Sequence, residues 1–205
     1  MFLYSSHRTQ AWLNDLIIGD EKWIYNSNQI RKGQWVDKDE QPVDIPKPEL
    51  QVKKVMLGVW WSVQGTEYWK LLKEGKTITV DVYTKQLQKL RQAVRKSRGE
   101  KANVFLQPGN ARIHVARLTN AELLSYGWIV LPNPPYSPDL GASDLSLFSH
   151  LQRHLDGEIF KTKKAIKTEL TQYFAPQNPE FFHDGIQKLP GRWRKTINAY
   201  GEYFH

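Results

Sequence analysis

Apolar and polar positions alternate with two different periods along this chain, and the change of period marks out its elements. In LIIGDEKWIY, residues 16–25, Ile17, Ile18, Trp23 and Ile24 can cover both faces of a central strand. Asp20 and Glu21 interrupt that run. An acid flanked so closely by buried apolar residues needs a partner or a metal, unless Gly19 turns it out to solvent. KKVMLGVWWS, a turn at Gln64-Gly65 and TEYWKLL predict an antiparallel hairpin. The period then lengthens. Val80, Tyr83, Leu87, Leu90 and Val94 recur at three- and four-residue steps, which predicts an amphipathic helix over 80–98. Its other face holds Lys85, Lys89, Arg91, Arg95, Lys96 and Arg98, either a solvated exterior or a surface for phosphates. A short strand over 103–106 ends at a Pro-Gly break, followed by the polar residues Asn110, Arg112 and His114. A helix is expected from about 113 to 126, closed by Gly127, and a strand over 128–131. After a Pro-rich turn carrying Asp139, Ser143 resembles an N-cap for the helix DLSLFSHLQRHL. Two more helices are expected near 162–174 and 179–200. Residues 26–54 break the pattern: polar, with Trp35, Pro42, Pro46 and Pro48, they suggest a hairpin followed by an extended segment.

No linker or repeat divides the 205 residues, so a single domain over 1–205 is expected. The absence of cysteine removes disulfides and thiolate metal sites, leaving Asp, Glu, His and carbonyl oxygens as ligands and favouring magnesium or manganese. A formal charge of +8 favours a polyanionic partner, most often nucleic acid. No apolar run approaches the roughly 18 residues of a membrane span, and no secretory signal opens the chain. Carboxylates delivered by separate elements, Asp20 from a strand and Asp144 from a helix start, suggest a divalent-metal site for phosphoryl transfer. For Asp144 alone, helix capping explains the position equally well.

The blocks GDEKWIY at 19–25, KKVMLGVWW at 53–61, YTKQLQKL at 83–90, NARIH at 110–114, PPYSPDL at 134–140 and SDLSLF at 143–148 occur in order across the chain. Together with the tail FFHDGIQKLPGRWRKTINAYGEYF, they make the chain resemble the catalytic domain of mariner-family DNA transposases. The resemblance implies an RNase H-like fold, a mixed five-stranded sheet flanked by helices. It also implies DNA strand cleavage and transfer by in-line displacement at phosphorus, with three aspartates holding two Mg²⁺ or Mn²⁺ ions. Carried over by position, the first aspartate falls on Asp20 and the third on Asp144. The second falls on Gly109; 144 minus 109 is 35, so the spacing is kept and the carboxylate is missing. Asn110, Ala111, Arg112 and His114 match the family, while Ile113 stands in place of proline and Asn133 in place of histidine.

The resemblance predicts an impaired metal site, since glycine supplies no ligand atom and neither Gln107 nor Asn110 replaces a charge. Asp139 is expected to be structural. Arg112, His114, Lys89, Arg95 and Lys96 are the expected DNA contacts, and the segment 26–54, with Trp35, the expected arm to a second subunit in a homodimer. The paired helix-turn-helix domains of the family are expected to be absent, which leaves backbone-driven DNA binding of low sequence specificity. A nuclear location follows from the partner. The alternative is a non-catalytic DNA-binding or dimerisation module on the same scaffold.

Overall fold

A computed structural model describes residues 10–29, 53–133, 140–175 and 177–199. After a 3₁₀ turn over Gln10–Asp15, the strands are β1 (Leu16–Tyr25), β2 (Lys54–Ser62), β3 (Gly65–Leu71), β4 (Phe105–Pro108) and β5 (Ile129–Val130). The helices are α1 (Val80–Arg98), α2 (Arg117–Tyr126), α3 (Ser149–Leu155), α4 (Lys163–Phe174), α5 (Pro179–Gln187) and α6 (Leu189–Asn198), with a π-helical segment, Ser143–Phe148, leading into α3.

Strand order is β3-β2-β1-β4-β5. β1 is antiparallel to β2 and parallel to β4, and β4 is parallel to β5. This is the mixed five-stranded sheet expected of an RNase H-like fold. Alternation along the strands sends side chains to two cores. Ile18, Ile24, Val55, Leu57 and Trp61 face the π segment and α3 to α6, through Leu147, Leu151, Ile166, Leu170, Phe182 and Ile186. Ile17, Trp60 and Leu106 face α1 and α2, through Tyr83, Leu87, Leu90, Val94 and Leu123. Gly19 is required by the second core: a Cβ there would lie 2.5 Å from Trp60 Nε1. The edge strand carries a bulge. Trp60 pairs with Tyr68 and Trp61 with Thr66, so Glu67 is the extra residue. The bulge aims Glu67 at Arg98, at the end of α1, where the two form a buried ion pair.

Three expectations are corrected. α2 starts at Arg117, not near 113, because residues 111–114 make a turn closed by the His114 N–H donating to the Ala111 carbonyl at 2.9 Å. Ser143 is not a capping residue: Ala142 precedes the π segment, and the Ser143 hydroxyl accepts from Trp61 Nε1 at 3.0 Å. The span 179–200 is two helices, broken at Lys188, with Pro190 in the first turn of α6, where a missing N–H costs nothing. The segment 26–54 lies outside the described residues from 30 to 52, Trp35 included, as does Asp139.

Candidate active site

Asp20 stands in the middle of β1, opposite Val59 of β2. On the other side β4 runs parallel, with Gly19 beside Pro108. The ladder continues one residue further, where the Gly109 N–H donates to the Gly19 carbonyl at 3.1 Å. Position 109 therefore lies next to Asp20: a Cβ built on Gly109 would be 3.6 Å from Asp20 Oδ1. Asp144, in the first turn of the π segment, is close enough for its charge to act on Asp20.

The electrostatics of this corner are unfavourable to negative charge. Burial, then Glu21 and then Asp144 push the Asp20 carboxyl up to about 7, against the Glu21 N–H that donates to its Oδ1 at 2.8 Å. Partial burial raises Asp144 as well, and Lys22 opposes that rise. The ammonium of Lys22 also sits 5.8 Å from the centre of the Phe148 ring. Period-two alternation puts Asp20 and Lys22 on one face of β1 and Glu21 on the other. Glu21 meets His114 there, Oε1 to Nε2 at 3.2 Å, while His114 Nδ1 accepts from the Ala111 N–H at 3.1 Å. Burial alone would lower His114, but the hydrogen bond and charge of Glu21, the Gly109 carbonyl and Asp20 together raise it.

Asp20, Gly109, Asp144 and His114 are thus gathered in one place by three separate segments, β1, the connection from β4 to α2 and the π segment. His114 is buried, and both ring nitrogens are engaged within the protein, which leaves it bracing Glu21 rather than facing a DNA backbone. Arg112, Lys89 and Lys96 are exposed. Arg95 is tied to Glu100. Gln107 pairs with Ile18 in the β1–β4 ladder and so shares the face of Asp20. It is buried, and its Oε1 has no hydrogen-bond partner among the described residues. Sequence reasoning did not single out Lys22 beside Asp144 or the Glu21–His114 brace. Alternation along β1 separates Glu21 from Asp20, but only the turn at 111–114 says what Glu21 meets.

Two carboxylates and a partnerless amide oxygen are hard ligands suited to one Mg²⁺ or Mn²⁺. Among the described residues, no group of three or more His, Asp or Glu side chains is placed to hold a metal. Asp20, Asp144 and Gln107 are the described residues that could hold such an ion.

Comparison with known proteins places the chain as a whole. The family described as "Transposase (partial DDE domain)" matches residues 25–104. The chain is 36% identical over 205 residues to the mariner Mos1 transposase of Drosophila mauritiana, covering 98% of this chain and 59% of that protein. It is 35% identical over 202 residues to the histone-lysine N-methyltransferase SETMAR of Homo sapiens, covering 97% of this chain and 29% of that protein. The chain thus spans well under two thirds of both relatives. Among solved structures, the Mos1 transposase catalytic domain with Raltegravir and Mn superposes with a TM-score of 0.82 at 34% identity, covering 100% of this chain and 92% of that one. The Mos1 paired-end complex with Mn gives a TM-score of 0.92 at 36% identity, covering 100% of this chain and 61% of that one.

Proposed function

This chain belongs to the mariner family of DNA transposases, as the catalytic domain with its RNase H-like fold, and we propose that it is a metal-impaired form of that domain. Asp20 and Asp144 would hold a divalent cation, Mg²⁺ or Mn²⁺, the ions with which the Mos1 paired-end complex was solved. When bound, such an ion supplies charge neutralisation for in-line displacement at a DNA phosphate. The chain's own part is to bring the two carboxylates together, to keep Lys22 beside Asp144, and to fix Glu21 with His114 so that β1 does not shift under Asp20. DNA is the proposed substrate, in keeping with the Mos1 paired-end and strand-transfer complexes. Arg112, Lys89 and Lys96 would meet its backbone, and a nuclear location and a homodimer complete the proposal.

The observation that carries the reading is Gly109. Glycine supplies no ligand atom at a position whose Cβ would lie 3.6 Å from Asp20 Oδ1, and an aspartate there would displace the His114 ring, whose Cε1 lies 2.9 Å from the same point. The test is a nicking assay on transposon-end DNA with Mg²⁺ or Mn²⁺, comparing the chain with its Gly109→Asp variant. The expected result is little cleavage by the parent and more by the variant; robust cleavage by the parent would overturn the proposed impairment. The second reading, a DNA-binding or dimerisation module without chemistry, is favoured by the lack of a three-ligand group among the described residues. DNA binding unchanged by metal, with no cleavage by either form, would select it.

A further inference from the structure

Lys70, Lys73, Lys163 and Lys167 come from two distant parts of the chain, and Lys163 is within electrostatic reach of the other three where β3 ends and α4 begins. Helix α4 lies along the edge strand: Trp69 packs on Phe174 with ring centroids 5.6 Å apart, and Ala165 packs against the larger core. Lys163 opens α4 directly after its cap, Thr162, whose hydroxyl accepts from the Ala165 N–H at 3.2 Å. Lys167 stands one turn further on the same face. Across the seam, Lys70 precedes the last residue of β3, and Lys73 begins a turn closed by the Lys76 N–H at 3.1 Å. Lys70, Lys73 and Lys167 are exposed and Lys163 is half-buried.

The charges crowd one another. Partial burial lowers Lys163 from its ordinary value, and repulsion from Lys70, Lys73 and Lys167 lowers it further. None of the four is in an ion pair among the described residues, and neither is the neighbouring Glu74. A group of like charges engaged in no ion pair destabilises the free protein and is relieved by a polyanion. The seam lies at the β3 edge, two strands from β1 and its Asp20.

We propose that the β3–α4 seam, through Lys70, Lys73, Lys163 and Lys167, is a second contact surface for a DNA phosphate backbone, separate from the carboxylate corner. The inference rests on DNA being the partner. A lysine on a phosphate releases a counterion, so each one adds roughly 0.9 to the slope of log affinity against log salt. A helix exterior that is merely solvated adds far less.

The experiment measures anisotropy of a labelled short duplex with the whole chain over a salt series. It compares a seam variant, Lys70→Ala with Lys163→Ala and Lys167→Ala, with a charge-matched control variant at exposed lysines elsewhere, Lys53→Ala with Lys101→Ala and Lys188→Ala. Thermal melting confirms that both fold. The seam variant is expected to flatten the slope by about 2 to 3, distinctly more than the control variant. An unchanged slope in the seam variant overturns the proposal, and so does an equal loss in both variants, which would mean that only net charge matters. If the parent binds no DNA at all, the DNA reading itself fails, an outcome distinct from either.

Discussion

Asp20 is more costly to ionise in the folded protein than in the unfolded chain, and that difference has a definite pH signature. Its carboxyl sits at about 7 when folded against 3.8 as a free side chain. Between those values the folded form keeps a proton that the unfolded chain has released. The contribution of Asp20 to stability is therefore full below about pH 3.8 and is lost as pH rises to 7. Asp20→Asn has no charge to lose. In metal-free buffer it should melt with the parent at pH 4 and above it at pH 8, by at least the 2 °C or so that ~1 kcal/mol gives in a chain of this size. Equal melting temperatures at pH 8 would contradict the burial and crowding assigned to this carboxyl. Ser143 makes a second case. Its hydroxyl takes the buried Trp61 indole N–H, so Ser143→Ala should cost about 1–3 kcal/mol in urea unfolding, where loss of a solvent-exposed cap would cost less. The sequence pointed to both residues, correctly for the place of Asp20 and wrongly for the role of Ser143. A carboxylate inside an apolar run is a local anomaly, whereas a hydroxyl partner 82 residues away leaves no local trace.

Elements bounded by caps visible in the sequence matched expectation, whereas those bounded by an unrecognised turn or a distant contact did not. Helix α1 runs over Val80–Arg98 as its periodicity predicts, because Thr79 caps its start and the Gly99 N–H closes its end on the Arg95 carbonyl. The π segment follows no such rule. Its wider turn is held from outside, by Trp61 at Ser143, while the Trp193 indole N–H ties the nearby Leu140 carbonyl at 3.1 Å. A stretch of six residues is too short for its period to be distinguished from 3.6. The bulge at Glu67 belongs to this scale as well. It turns an edge-strand acid onto Arg98, with both side chains only 7% exposed, and so ties β3 to the end of α1. Ser62 Oγ donates to the same carboxylate at 2.8 Å. Glu67→Ala leaves the Arg98 charge buried and unpaired, and is expected to cost about 3–5 kcal/mol in chemical denaturation. Glu67→Met combined with Arg98→Met should recover most of that loss. A single variant as stable as the parent would show that the pair contributes nothing.

At the scale of the molecule, the sheet order places the two faces of β1 in different environments, and that division organises the site. One face presents Asp20 and Lys22 towards the π segment; the other presents Glu21 to the His114 turn. The mixed sheet was legible in the sequence chiefly through the ordered blocks, since hydrophobic alternation alone does not distinguish a parallel β1–β4 pair from an antiparallel one. The parallel pairing carries the argument, because it lays position 109 beside Asp20. The charge of +8 and the exposed lysines are expected to give backbone-driven binding, so duplexes of unrelated sequence should compete for the chain about equally well. A marked preference for one of them would contradict this. The most direct test of the proposed loss of a metal ligand at Gly109 is a calorimetric titration of Mn²⁺ into the metal-free chain, its Asp144→Asn variant and its Gly109→Asp variant. One weak site in the parent, lost in Asp144→Asn and raised to two in Gly109→Asp, is the predicted result; two tight sites in the parent, or one that survives Asp144→Asn unchanged, would contradict it.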